Sequence, residues 1–166
     1  MTTIWAQYAL YNRLANERLY AACADLADEE RRRDLGAFFK SVHGTLNHLL
    51  LGDRIWMTRF EGGGHPSINL DAILFDDFAV LRTARADMDR RIEAFFAAPP
   101  AGFLERSLHY VNNAGVESAD PVSVILPHFF NHQTHHRAQV HTLLSQLGRD
   151  PPVLDLHRVL RPNPPL

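Results

Sequence analysis

Five histidines fall within one stretch of fourteen residues: His128, His132, His135, His136 and His141. The 166-residue chain holds ten in all, in an otherwise ordinary composition. His132 and His136 are four residues apart. On a helix that spacing puts two side chains on one face, about 40° apart and one turn up, so two imidazoles can converge on one point. H-x-x-x-H is also the pair by which a metalloprotease helix holds its ion. Residue 133 is Gln where that motif carries glutamate, which argues against a protease. The spacing alone arises by chance in histidine-rich helices. Here, however, both histidines fill the middle of an apolar stripe formed by Ile125, Phe129, Val140, Leu143 and Leu147. A buried neutral imidazole that lacks partners costs about 1–3 kcal/mol per unsatisfied group. A metal ion satisfies one nitrogen of each ring at once.

A third ligand must come from a facing helix, with His43 and His48 as candidates. Counted from Val42, the centre of the apolar stripe, His48 lies about 120° to one side. It shares that flank with Ser41, Gly44, Thr45 and Gly52. Small neighbours leave a hollow for an ion and a substrate, although they would equally allow close helix packing. His43 lies on the opposite flank and is the poorer choice, while His65 and His109 fall in loop or hairpin sequence. Three neutral histidines make an open site, because zinc takes four ligands. Nickel and iron also accept imidazole. Such an ion can activate water or a thiol, or polarise a carbonyl.

The elements that would position these groups follow from hydrophobic periodicity. Ile4, Tyr8, Tyr11, Ala15, Leu19, Ala22 and Leu26 predict a helix over Thr2 to Leu26, followed by a charged turn from Asp28 to Asp34. A second helix is expected from Asp34, as N-cap, to Phe60, ended by Gly62-Gly63-Gly64. A third is expected from Asp71 to Ala98, closed by Pro99-Pro100, and a fourth from Pro121 to Leu147. Pro127 requires either that the fourth helix start near it or that its first turn be kinked. Between helices three and four, Leu104 to Ala119 alternates apolar and polar residues around Asn112-Asn113-Ala114-Gly115, which reads as a short hairpin. One helical turn is expected at Leu156 to Leu160. The sum is an all-α chain, a four-helix bundle with a short hairpin or loop insertion between helices three and four, in one domain spanning 1–166. Bundles build ligand and metal sites in the core from facing helices.

Composition narrows the function classes. Apolar residues are 46%, charged residues 22% and net charge is −2, which fits a folded domain and disfavours a nucleic-acid or polybasic membrane binder. No run of about 18 apolar residues exists, and the opening residues lack the basic start of a signal peptide. Cys23 is the one cysteine, so no intrachain disulfide forms. A cytoplasmic location is expected.

Two blocks resemble a known family. H-L-L-L-G-D-R-I-W at His48 to Trp56 and N-H-Q-T-H-H-R-A-Q-V-H at Asn131 to His141 are similar to the DinB-like (damage-inducible, YfiT-like) superfamily. Y-N-R-L-A-N-E-R-L-Y at Tyr11 to Tyr20 and L-D-L at Leu154 to Leu156 extend the likeness over nearly the whole chain. The resemblance implies a four-helix bundle, often a homodimer, with a divalent ion held by His48, His132 and His136. Related branches are thiol-dependent transferases and isomerases. The family usually carries glycine after the arginine of H-H-R, where this chain has Ala138, a mild change that touches no ligand.

The remaining polar residues divide between site and scaffold. Gln139 and Asn131 would orient the imidazoles or sit on the helix surface. Asn12 and Asn16 would face the pocket or solvent. Asp53 is expected to pair with an arginine rather than a ligand ring, and Arg85 to form a structural ion pair rather than bind an anion. Cys23 reads as a small buried hydrophobe, and Tyr8 and Trp56 as core or interface aromatics. No general base is assigned, with His128 and His135 left open. The expected function is a metal-dependent enzyme (zinc, nickel or iron) that activates a low-molecular-weight thiol or water toward a small-molecule substrate. The alternative is a metal-binding structural dimer or stress-related binding module without turnover. An open, polar pocket beside the ion separates the two.

Overall fold

The computed structural model describes residues 3–64, 69–112 and 114–162. Thr2, His65 and Asn113, singled out in the sequence, lie outside them. The chain is mostly helical, with a small two-stranded sheet. In order it runs α1 (Ile4–Ala24), α2 (Asp28–Arg32), α3 (Val42–Phe60), α4 (Phe78–Ala97), β1 (Ser107–Val111), β2 (Glu117–Pro121), α5 (Val122–Gln146) and α6 (Leu156–Leu160).

The four long helices share one core. α1 packs on α4 and α5, and α3 packs on α4 and α5. α3 is buried around most of its circumference, including His43, His48, Gly52 and Asp53. An amphipathic stripe therefore understates how much of α3 meets other protein. Leu46, Leu49, Ile92, Phe96, Phe129 and Val140 are among the core side chains. A satellite cluster joins Tyr11 and Ala15 to Val159 of α6, and the Tyr11 hydroxyl donates to the Leu154 carbonyl at 2.7 Å. No helix among the described residues is long and apolar enough to cross a membrane.

Two helix starts differ from the sequence expectation. α3 starts at Val42 with Ser41 as N-cap, its hydroxyl accepting from the Gly44 amide at 3.1 Å. Asp34 instead accepts from the Gly36 amide at 3.0 Å. Gly36 and Lys40 both adopt positive φ, at 75° and 66°. Helical backbone cannot pass through such residues, so 35–41 forms a strap closed by the Leu35 amide on the Lys40 carbonyl. α4 starts at Phe78, with Asp77 capping the Val80 amide at 2.9 Å, rather than at Asp71. The segment before it crosses α3 and lends its carbonyls to side chains there. The charged turn contains the short helix α2. Pro127 lies inside α5 rather than at its start, because β2 runs straight into α5 and the Val122 amide donates to Arg106.

The hairpin forms where expected, antiparallel, with Ser107 opposite Pro121 and Val111 opposite Glu117. The Asn112 side chain accepts from the Ala114 and Val116 amides, and Gly115 takes φ 77°.

Candidate metal centre

α3 and α5 lie side by side, and where they face each other His48, His132 and His136 meet. One nitrogen from each ring lies within 4.8 Å of the others. The Nε2 atoms of His48 and His132 are 3.1 Å apart. The i, i+4 spacing on α5 brings the His132 and His136 ring centres to 4.4 Å, as the helical period requires.

The backs of two rings are fixed. His48 Nδ1 lies 2.9 Å from the Leu70 carbonyl. A carbonyl only accepts, so Nδ1 carries the hydrogen and Nε2 presents its lone pair in the neutral ring. His136 Nδ1 donates in the same way to Gln139 Oε1 at 2.8 Å, and the Gln139 amide donates to His135 Nε2 at 3.2 Å. Outer partners of this kind hold a ligating imidazole in one tautomer and orientation. Phe39, at the end of the strap, stacks on the His48 ring with centroids 3.8 Å apart.

Burial favours the neutral rings. It pushes the His48 imidazole below its usual pKa, against the opposing pull of the Leu70 hydrogen bond. Burial, then repulsion from the neighbouring imidazoles, lowers His132 to about 3. Burial lowers His136 to about 4, opposed by Gln139. At neutral pH all three keep a lone pair, the state a metal ligand needs. The donor set is therefore compatible with a bound metal ion.

Gly52 supplies the space. A Cβ there would lie 2.9 Å from His132 Cε1, so the small-residue flank seen in the sequence has a specific use at this position. Beside the cluster opens a cavity of 260 Å³, lined by His48, His132, Gly52, Trp56, Tyr110 and His128. Arg59 also borders it, its guanidinium 4.7 Å from the Trp56 ring centre and 4.4 Å from that of Tyr110, donating to the Val111 carbonyl at 3.0 Å. The hairpin thereby forms one wall.

Other candidates fall elsewhere. His43 is buried away from the cluster, its Nε2 donating to the Phe75 carbonyl at 2.9 Å. His128 lines the cavity and packs edge-on to Trp56 at 5.5 Å. His109, His135 and Asn131 are exposed, and His141 is half-buried beside a separate groove along α1 and the C-terminal segment. Asp53 pairs with Arg85 at 2.6 Å. Asn12 and Asn16 face neither pocket nor solvent and donate to Asp89 at 3.3 and 2.9 Å. Cys23 is buried, and burial raises its thiol to about 12. Tyr8 and Trp56 are half-buried against the core.

Sequence reasoning missed Phe39, the Leu70 carbonyl and the Tyr110–Arg59 wall. No local pattern marks the first two, because each contact depends on how a non-helical segment crosses α3. The Arg59–Trp56 pair was visible as i, i+3 neighbours, without any sign that a hairpin tyrosine would cover the guanidinium.

The DinB family profile matches residues 1–165. The chain is also similar to Protein DinB of Bacillus subtilis (strain 168), with 24% identity over 146 residues, covering 83% of each chain.

Proposed function

The chain belongs to the DinB family, and from that premise we propose that it is a metal-dependent enzyme whose divalent ion is held by His48, His132 and His136. The observation that carries the reading is the convergence of three neutral ring nitrogens at the edge of an open cavity. A divalent ion of zinc, nickel or iron would supply Lewis acidity there, lowering the pKa of a low-molecular-weight thiol or of water so that it attacks at neutral pH.

The chain's own groups do the rest. Leu70 and Gln139 fix the donor faces of His48 and His136. Phe39 covers one face of the His48 ring and excludes water from it. Trp56 and Tyr110 give the cavity apolar walls for the body of a small substrate, and Arg59 beside them favours one with anionic character. Of the two histidines considered as bases, both exposed, His128 lines the cavity, whereas His135 lies outside it and is engaged by Gln139. His128 is therefore the imidazole placed to take the proton. The same reading takes residues 1–166 as one four-helix-bundle domain that acts as a cytoplasmic homodimer.

The open cavity favours turnover over a purely structural ion, which would be closed by a fourth protein ligand or by packed apolar side chains. Metal content measured on tag-free protein tests the site. His132→Ala should lose stoichiometric binding, and unchanged stoichiometry would refute it. A panel of small thiols and electrophiles assayed on metal-loaded protein tests turnover, and inactivity with every thiol would shift the reading to water or to a non-catalytic role.

A further inference from the structure

Behind the imidazoles, seven polar side chains form a closed ring through the core, with members from all four long helices. Asp53 of α3 accepts from Arg85 of α4 at 2.6 Å. Arg85 also pairs with Asp89 at 2.8 Å. Asp89 accepts from Asn12 and Asn16 of α1. The carbonyl oxygens of those two amides accept from Arg137 of α5. Arg137 donates in turn to the Gln133 carbonyl oxygen at 3.5 Å, and the Gln133 amide closes the ring on Asp53. Two cations balance two anions. Arg137 makes no ion pair among the described residues, and its hydrogen bonds reach the carboxylates through the three amides, while Asp53 and Asp89 also act on its charge across space.

The ring abuts the site in sequence. Asp53 follows Gly52, Gln133 follows His132 and Arg137 follows His136. Consecutive helical residues point about 100° apart, so α3 and α5 turn one flank to the ring and the neighbouring flank to the imidazoles. Apolar contacts are non-directional and tolerate small rotations. Hydrogen bonds are directional, and a buried network with one partner lost is worse than a complete one. Gln133 is fully buried and is the ring's link between α5 and α3, donating to the Leu49 carbonyl of α3 at 3.4 Å as well as to Asp53.

We propose that Gln133 is a positioning residue for the metal site: it fixes the rotation of α5 against α3, so that His132 and His136 face His48 before any ion binds. The inference rests on the ligand assignment above. Gln133→Met keeps the side-chain length and removes both hydrogen-bonding ends. Gln133→Asn keeps the amide but is one methylene too short to reach Asp53 and Arg137 together.

The test is cobalt(II) binding to tag-free protein, followed by its visible ligand-field spectrum and by chelator competition, with thermal unfolding of the ion-free protein alongside. At temperatures where each variant is folded, both should bind cobalt about tenfold more weakly, with a shifted or weakened visible band. A variant that melts earlier yet keeps the wild-type spectrum, and affinity within about threefold, would show Gln133 to be purely structural and overturn the proposal. If Gln133→Met fails to fold, Gln133→Asn decides by the same criterion. His132→Ala is run in parallel. Wild-type cobalt binding by that variant would refute the ligand assignment itself, a failure distinct from that of Gln133.

Discussion

Gly52→Ala tests how tightly the site is built. Gly52 sits in mid-helix, where alanine ordinarily stabilises by about 0.5–1 kcal/mol. Here the new Cβ would lie 2.9 Å from His132 Cε1 and 3.5 Å from its Nδ1. Carbon atoms rest at about 3.5–4.0 Å, so the imidazole must retreat by about 0.6–1.1 Å. Zinc–nitrogen bonds tolerate only about 0.2 Å about their ideal length. His132 therefore either leaves the ion or draws α5 with it. The expected loss in metal affinity is about tenfold to a hundredfold, or about 1.4–2.8 kcal/mol. In the ion-free protein the overlap costs about 1–3 kcal/mol and offsets the helix gain, so the melting temperature should stay level or fall. Chelator competition with zinc and calorimetry of the ion-free form measure the two effects separately. Wild-type affinity together with a raised melting temperature would refute the reasoning, because it would mean that the imidazole does not occupy the space Gly52 leaves.

Gln139→Leu should weaken metal binding by about tenfold by freeing the His136 tautomer, with little change in the melting temperature, because Gln139 is only half-buried. Titration calorimetry beside thermal unfolding separates the two. The ion-free protein should lose stability as pH falls from about 6.5 toward 4. His132 and His136 bind protons only at about 3 and 4 when folded, whereas the unfolded chain takes them up near 6.5, so acid favours unfolding. Denaturant midpoints at pH 7.5 and pH 5 in the presence of a chelator check the sign. Cys23, buried with its thiol raised to about 12, should resist thiol-reactive dyes at pH 8 in the native state and react fully in denaturant.

The local parts of the site could be read from the sequence. His132 and His136 converge because a helix repeats every 3.6 residues, and their place within an apolar stripe already set them facing protein. The hairpin followed from the asparagine and glycine of its turn, and the hollow beside His48 from the small residues on its flank. DinB-like membership lay in the two histidine blocks. Helix starts were less legible. Asp34 and Asp71 carry good capping chemistry, but left-handed residues at Gly36 and Lys40 and the crossing of 69–77 over α3 delayed both helices. Helix geometry and the family resemblance already favoured His48 over His43, and tertiary structure supplied the contacts that fix each: His48 turns toward α5 with the Leu70 carbonyl behind it, while His43 turns to Phe75. Tertiary structure also decided that Asn12 and Asn16 serve Asp89, and that Asp53 and Gln133 tie α3 to α5. Periodicity fixes the direction of a side chain about its own helix axis. The rotation of one helix against another is set by directional hydrogen bonds and packing between residues some eighty positions apart, and no local pattern in the sequence records those.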